Sequence, residues 1–300
     1  MRASTIVLIL IFSNVFCYSQ VTKTVILDEV MVQAVKKGFD VEDFIGMVKA
    51  DTSFLRAFRY LRNTPHKVEG NMIIYGKKSK VDATRYRMAF QVTQNDLRWI
   101  EMQEEKITGK FYDKKDNPET YTAEMFDDIF FYKDTLPVLS LSQSISATSG
   151  TNKSSNVNKL KKLVFNPGAE IDGVPVVGKR LAIFDDDMSQ YYDYAINVRT
   201  YGDSISCYVF SCIAKPEAGD YPVLKTLNTW FDRKTFNIVY RDYQYQYSGI
   251  MFDFDVTMKV TMDYKSEVLY PSKIEYTGFW DIPFKKKEKV DFELVFKILK

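Results

Sequence analysis

Two spacings of apolar residues run along this chain and predict two kinds of element. Val41, Phe44, Ile45 and Val48 recur at i, i+3, i+4 and i+7 behind Asp40, a good N-cap, which predicts an amphipathic helix. Asp51, Thr52 and Ser53 restart the chain with capping residues, and Phe54, Phe58 and Leu61 give a second helix its apolar face. Arg56, Arg59 and Arg62 fall on the opposite face of that helix at a spacing of three. Such a stripe is ordinarily solvated; its functional alternative is a contact with anionic lipid or an acidic partner. Thr64 and Pro65 end the helix.

From Lys67 the period becomes two. Val68, Met72 and Ile74 alternate with other residues, as do Tyr86, Met88, Phe90 and Val92, whose opposite face holds Arg85, Arg87 and Gln91. Residues 97–102 and 107–112 continue as two short strands. Tyr194, Ile196 and Val198 lead through Tyr201, Gly202 and Asp203 into a returning run, a hairpin signature. Phe252, Phe254, Val256, Met258, Val260 and Met262 are apolar at every second position, with Asp253, Asp255, Thr257, Lys259 and Thr261 between them. Val290, Phe292, Leu294, Phe296 and Ile298 repeat the pattern. Brief connections favour antiparallel pairing, and one dry face per strand demands a cover. The N-terminal helices, with a helical piece near 122–132, supply it, so the expected class is α+β: a mainly antiparallel sheet under helices.

Two stretches differ in material. Residues 140–158, rich in Ser, Thr and Asn, read as a mobile polar insertion within one domain that spans 20–300. Residues 1–19 combine Arg2, a short apolar run and small residues at Cys17 and Ser19, which read as a secretory signal peptide cut after Ser19 or Gln20. A lipoprotein reading would acylate and keep Cys17, but Phe16 is bulky where that processing wants a small residue. No later apolar run reaches membrane length, so no transmembrane span is expected in the mature chain. Cys207 and Cys212 lie in one strand-like run; five residues of strand cover about 16 Å, well beyond the roughly 7 Å a disulfide tolerates. Buried free thiols are the plain reading.

Composition removes several functions. With 41 Lys plus Arg against 39 Asp plus Glu, the chain has no cationic surplus for neutralising a run of phosphates, so nucleic acid is not an expected partner. A single His, His66, rules out polyhistidine metal sites; at a helix end its cation would meet the dipole favourably. Asp185, Asp186 and Asp187 lack the further oxygen ligands of a calcium loop and read as a cap or turn. Asp253 and Asp255 share one face of a strand and could divide acid and base roles, but a polar solvent face suits them better. No Gly-rich phosphate loop, nucleophile elbow or metal-ligand spacing is present, so no cofactor, metal or enzymatic activity is expected. Tyr191, Tyr192, Tyr194, Tyr240, Tyr243, Tyr245 and Tyr247 are either ordinary sheet residues or an aromatic binding face. Lys285, Lys286, Lys287 and Lys289 beside Pro283 read as a solvated hairpin tip, with anionic membrane as the alternative contact.

Two stretches resemble known families. Residues 24–32, Thr-Val-Ile-Leu-Asp-Glu-Val-Met-Val, resemble the Leu-Asp-Glu-Val-Val-Val segment near the start of many outer-membrane TonB-dependent receptors and their carboxypeptidase-like regulatory domains in Bacteroidetes. The segment is either a plain first strand or a docking peptide. Residues 228–241 carry Trp230, Asp232 and Thr235 as a Trp-x-Asp-x-x-Thr hairpin, followed by Leu269-Tyr270-Pro271-Ser272-Lys273-Ile274 and further strands. In this they resemble the outer-membrane lipoprotein carrier superfamily of the LolA and LolB type, mainly over residues 160–300. That resemblance implies an open sheet curled like an unclosed barrel, helices over its concave face and an apolar cavity between them. It also implies a periplasmic or outer-membrane-associated protein that binds a lipid or acyl chain, with an outer-membrane protein as a possible partner. Phe252, Phe254, Met258, Met262, Phe292 and Phe296 are the expected cavity wall. The alternatives are an interaction protein docking through 24–32, or a hydrolase using Asp253 and Asp255.

Overall fold

The computed structural model describes residues 25–27, 29, 32–33, 38, 40–138, 166–170, 177–249, 253–282 and 286–299. The expected signal peptide with Cys17, the expected polar insertion at 140–158, Phe252, Pro283 and Lys285 lie outside the described residues.

Three helices of ten or eleven residues are built as their spacing predicts. Helix α1 (Val41–Ala50) opens on Asp40, whose carboxylate accepts from the Glu42 and Asp43 amides, and it buries Phe44, Ile45 and Val48. Helix α2 (Ser53–Asn63) buries Phe54, Ala57, Phe58 and Leu61. Helix α3 (Tyr121–Phe130) opens on Thr120, whose hydroxyl accepts from the Ala123 amide. A one-turn helix, α4 (Asp186–Ser189), follows Asp185, so the three aspartates form a turn and helix start.

The strands are β1 (Val25–Leu27), β2 (His66–Tyr75), β3 (Val81–Gln94), β4 (Leu97–Gly109), β5 (Leu136–Pro137), β6 (Tyr192–Tyr201), β7 (Ile205–Ala214), β8 (Leu224–Asp232), β9 (Ile238–Ser248), β10 (Asp253–Lys265), β11 (Val268–Asp281) and β12 (Glu288–Ile298). They form one curved, open sheet in the order β1-β6-β7-β8-β9-β10-β11-β12-β2-β3-β4-β5. Every pairing is antiparallel except β1 with β6. Sequence neighbours pair through short turns, as at Asn95-Asp96 and Ser266-Glu267, where both turn residues have positive φ. Two junctions join strands distant in sequence: β12, the last strand, with β2, the first long one, and β1 with β6. Both ends finish in strands of two or three residues, which pair with only Leu97 and Arg98 of β4 and Tyr194, Ala195 and Ile196 of β6.

The helices lie on the concave face, with the N-terminal pair joined by α3. The Phe44 ring of α1 meets those of Tyr208, Phe231 and Phe236 at 5.4 to 6.2 Å, over β7 and β8. The Phe126 ring of α3 meets Tyr276 at 5.4 Å and Phe292 at 4.1 Å, over β11 and β12.

Three expectations change. Residues 97–112 are not two short strands: β4 runs unbroken through its charged centre, because the ladder to β3 is made by backbone groups, and a bulge opposite Met88 and Ala89 absorbs one extra residue. On β3 the alternation holds but the faces are exchanged. Ala83, Arg85, Arg87, Ala89 and Gln91 point inward, while Tyr86, Met88, Phe90 and Val92 are only half-buried on the other side. His66 is not a cation at a helix end: it opens β2 at 3 % exposure, and burial lowers its pKa to about 4, so it is neutral at pH 7. Cys207 and Cys212 are buried free thiols as expected.

Candidate functional site

The five described wall residues come together on the inner face. Phe254, Met258 and Met262 point inward from β10, Phe292 and Phe296 from β12, and all are buried. Between them β11 contributes Ile274, Tyr276 and Trp280. Register pairs Phe254 with Trp280, Met258 with Tyr276, and Tyr276 with Phe292, so the side chains form a cross-strand ladder. Ring centroids are 4.8 Å apart for Phe254 and Trp280 and again for Tyr276 and Phe292. Gly278 is required here, because a Cβ at that position would stand 2.0 Å from the Tyr276 hydroxyl.

From above, α3 roofs this ladder with Tyr121 against Trp280, Phe126 against Phe292, and Phe130 against Phe296. Two of its polar groups are bonded, while the buried Tyr121 hydroxyl has no hydrogen-bond partner. The Trp280 Nε1 donates to the Tyr276 hydroxyl at 2.7 Å, and the Tyr243 hydroxyl donates to the Met258 sulfur at 3.4 Å. In this conformation protein side chains occupy the face where a cavity was expected. The space beside Phe126, Phe131, Phe292 and Leu294 is about 10 Å³, about one water's worth. A wider groove, about 270 Å³, lies over the outward-facing Asn71, Thr257, Lys259, Glu275, Thr277 and Glu293, a polar setting.

Charged groups pin the roof. Glu288 occupies the first inward position of β12, and its carboxylate accepts from the Tyr121 and Thr122 amides and the Thr122 hydroxyl at the start of α3. A carboxylate there satisfies orphan amides and meets the positive end of the helix dipole. Farther along α3, Asp127 accepts from Arg85 Nη1 at 2.8 Å and faces Arg87 Nη1 at 3.1 Å. Arg87 also reaches Glu105 and the Tyr112 hydroxyl, and Arg85 lies 4.2 Å from the centre of the Phe111 ring. The α1–α2 unit is held differently. Arg241 on β9 donates from Nε to the Thr229 hydroxyl at 2.9 Å, while its nearest carboxylate oxygen, on Asp51, is 3.9 Å away. Burial lowers the Arg241 pKa to about 10, and Asp51 offsets only part of that. At the far end of α2, Gln91 donates to the Arg62 and Thr64 carbonyls at 2.9 Å each.

The remaining candidates are placed as follows. Asp255 accepts from Gln244, and Asp253 from Ser248 and the Gly249 amide, on the outward face. Val25–Leu27 form an ordinary edge strand. Tyr192, Tyr194, Tyr243 and Tyr245 are buried, whereas Tyr240 clusters outside with Tyr201 and Trp230. Asp232 closes the Trp230–Thr235 hairpin by accepting from the Lys234 and Thr235 amides. Lys286 faces Asp82, and Lys287 pairs with Asp281. Residues not foreseen as site members are Glu288, Arg85, Arg87, Arg98, Asp127 and Arg241. A signal existed for some of them: Glu288 sits in register with Val290 and Phe292, and Arg85 and Arg87 share parity with Ala83 and Ala89.

No family model and no curated protein matches the chain. Among solved structures, a DUF1329 family protein from Desulfovibrio piger aligns over 83 % of this chain and 91 % of its own at 11 % identity and TM-score 0.27. A domain from Vibrio parahaemolyticus named as an outer membrane lipoprotein-sorting protein aligns over 82 % and 91 % at 8 % identity and TM-score 0.27. Lipovitellin aligns over 80 % of this chain and 25 % of its own at 6 % identity and TM-score 0.24. The second name is that of the superfamily the sequence resembles; at TM-scores below 0.5 these likenesses carry no argument about function. Among the described residues no helix is long and apolar enough to cross a membrane.

Proposed function

We propose that this is a non-enzymatic cell-envelope protein that takes a lipid or another apolar ligand between its sheet and its helical roof. The observation that carries the reading is the continuous inward apolar face of β10, β11 and β12, from Phe254 through Met258 and Tyr276 to Phe296. It extends along strands of 11 to 14 residues, long enough to lie beside an acyl chain. The export signal read from residues 1–19 supports the compartment.

A ligand reaches this face only when the roof opens, because side chains fill the space beneath it. α3 is pinned by Glu288 at its start and by Arg85 and Arg87 at Asp127, whereas α1 rests on rings and on the exposed Lys49–Asp185 pair at 3.7 Å. The α1–α2 unit is therefore the part that lifts, with the Gln91-bound end of α2 as its pivot. Met258 and Met262 adapt to chains of varied shape.

Native mass spectrometry of the protein purified from envelope extracts tests this. A co-purifying lipid adduct, or one formed on incubation with lipid, is the expected result. No adduct from either source would overturn the reading.

A further inference from the structure

Arg85 and Arg87 have carboxylates on the inner face; Arg98 and Arg62 do not. Arg98, on β4, is 1 % exposed. Its Nε donates to the Pro137 carbonyl at 3.3 Å, and its guanidinium lies 4.8 Å from the centre of the Tyr132 ring. Its Nη1 is buried with no hydrogen-bond partner. Arg62, in the last turn of α2, is part-exposed, and its buried Nε also has no partner. Among the described residues neither guanidinium makes an ion pair. The two charges feel each other: burial first, and then Arg98, lower the Arg62 pKa to about 10.

Two like charges withdrawn from water without a counter-charge are strongly unfavourable. The local groups that could neutralise them are already engaged. The carbonyls at the end of α2 accept from Gln91, and the Tyr132 hydroxyl donates to Gln91 Oε1 at 3.1 Å. His66 is neutral and brings no compensating charge. What the pair lacks is an anion, and Arg forks present parallel N–H donors matched to phosphate or carboxylate oxygens.

We propose that Arg98, over the Tyr132 ring, and Arg62, at the nearby end of α2, form a binding site for an anionic oxygen group, phosphate or carboxylate. Arg98 forms the inner end and Arg62 the end nearer solvent. Resting on the function proposed above, the site deepens it: an acyl chain under α2 would have its charged head at this end of the helix.

The test uses the full chain with sodium phosphate, oleate and uncharged methyl oleate, read by thermal unfolding and calorimetric titration. Phosphate or oleate raises the melting temperature, and Arg98→Met or Arg62→Met weakens that binding at least tenfold. Arg98→Lys, which keeps the charge without the fork, binds between wild type and Arg98→Met. Without anion, Arg98→Met melts no lower than wild type, because an unpaired buried charge is gone. Phosphate acting as strongly as oleate assigns a free-anion site, and oleate acting alone assigns a lipid head; both support the site. No shift with either anion overturns it, as does an Arg98→Met protein that binds unchanged. A methyl oleate adduct persisting in that case would leave the apolar-ligand reading standing without the anion site.

Discussion

The inner face of β10 and β12 and the inner face of β3 lie in one sheet, yet they hold their helices by different physics. Along β10 and along β12 beyond Glu288 the inward positions are Phe, Val, Met, Leu and Ile, and contact with α3 there is made by rings. Along β3 the inward positions alternate Ala with Arg85, Arg87 and Gln91, and the contact is made by charge and hydrogen bonds to Asp127 and to the end of α2. The small alanines make room for the long side chains to lie flat against the helices. Apolar contact tolerates sliding; ion pairs and hydrogen bonds fix position. α3 receives both kinds of contact, whereas α1 meets the sheet through rings, so α3 is the more firmly fixed of the two.

The largest effects come from breaking either half. Phe292→Ala removes a ring packed against Phe126 and Tyr276 and should destabilise by about 3–5 kcal/mol in urea unfolding. A loss below about 1 kcal/mol would mean that the aromatic ladder is loosely packed. Asp127→Ala strips Arg85 of its carboxylate and leaves Arg87 only Glu105, with a similar loss of about 3–5 kcal/mol. The two halves part company in the combined Arg85→Met, Arg87→Met, Asp127→Leu protein, which should unfold close to wild type because the one carboxylate that loses its ion-pair partner, Glu105, is part-exposed and still accepts from the Tyr112 hydroxyl. If it falls as far as Asp127→Ala, the network contributes more than charge compensation.

Next is pH. Unfolded His66 takes a proton near its ordinary 6.5, whereas the folded chain refuses it until about pH 4. Its contribution is thus intact above pH 6.5 and is lost as pH falls through that window, by up to about 3 kcal/mol. His66→Gln should flatten this slope relative to wild type, and parallel curves would refute the assignment. Asp40→Ala, which removes the α1 cap, should cost about 1 kcal/mol in the same assay. Smallest is Asp255→Asn on the outward face, expected within about 0.5 kcal/mol of wild type.

Periodicity made most of the architecture legible. The stripes of α1 and α2 and the alternation of β10 and β12 appear at the residues that the spacing marks, because each such element reports its own buried side. β3 shows where this fails. Its two faces, Tyr-Met-Phe-Val and Arg-Arg-Gln, look outward and inward the wrong way round until Asp127, 42 residues from Arg85, arrives to neutralise the charges. The Arg stripe on α2 misleads similarly, since Arg62 is only part-exposed and its Nε is buried. Of the candidate site, the apolar wall was readable and the charged pins were not.

The sequence by itself determined the local elements, the antiparallel habit and the dry face of every strand whose inward residues are all apolar, because burial of such residues needs no particular partner. Which face of β3 turned inward, how firmly each helix is held, and which arginines were left without a carboxylate were decided only by the tertiary structure. A buried charge is tolerable or not according to what stands beside it, and those neighbours come from distant parts of the chain.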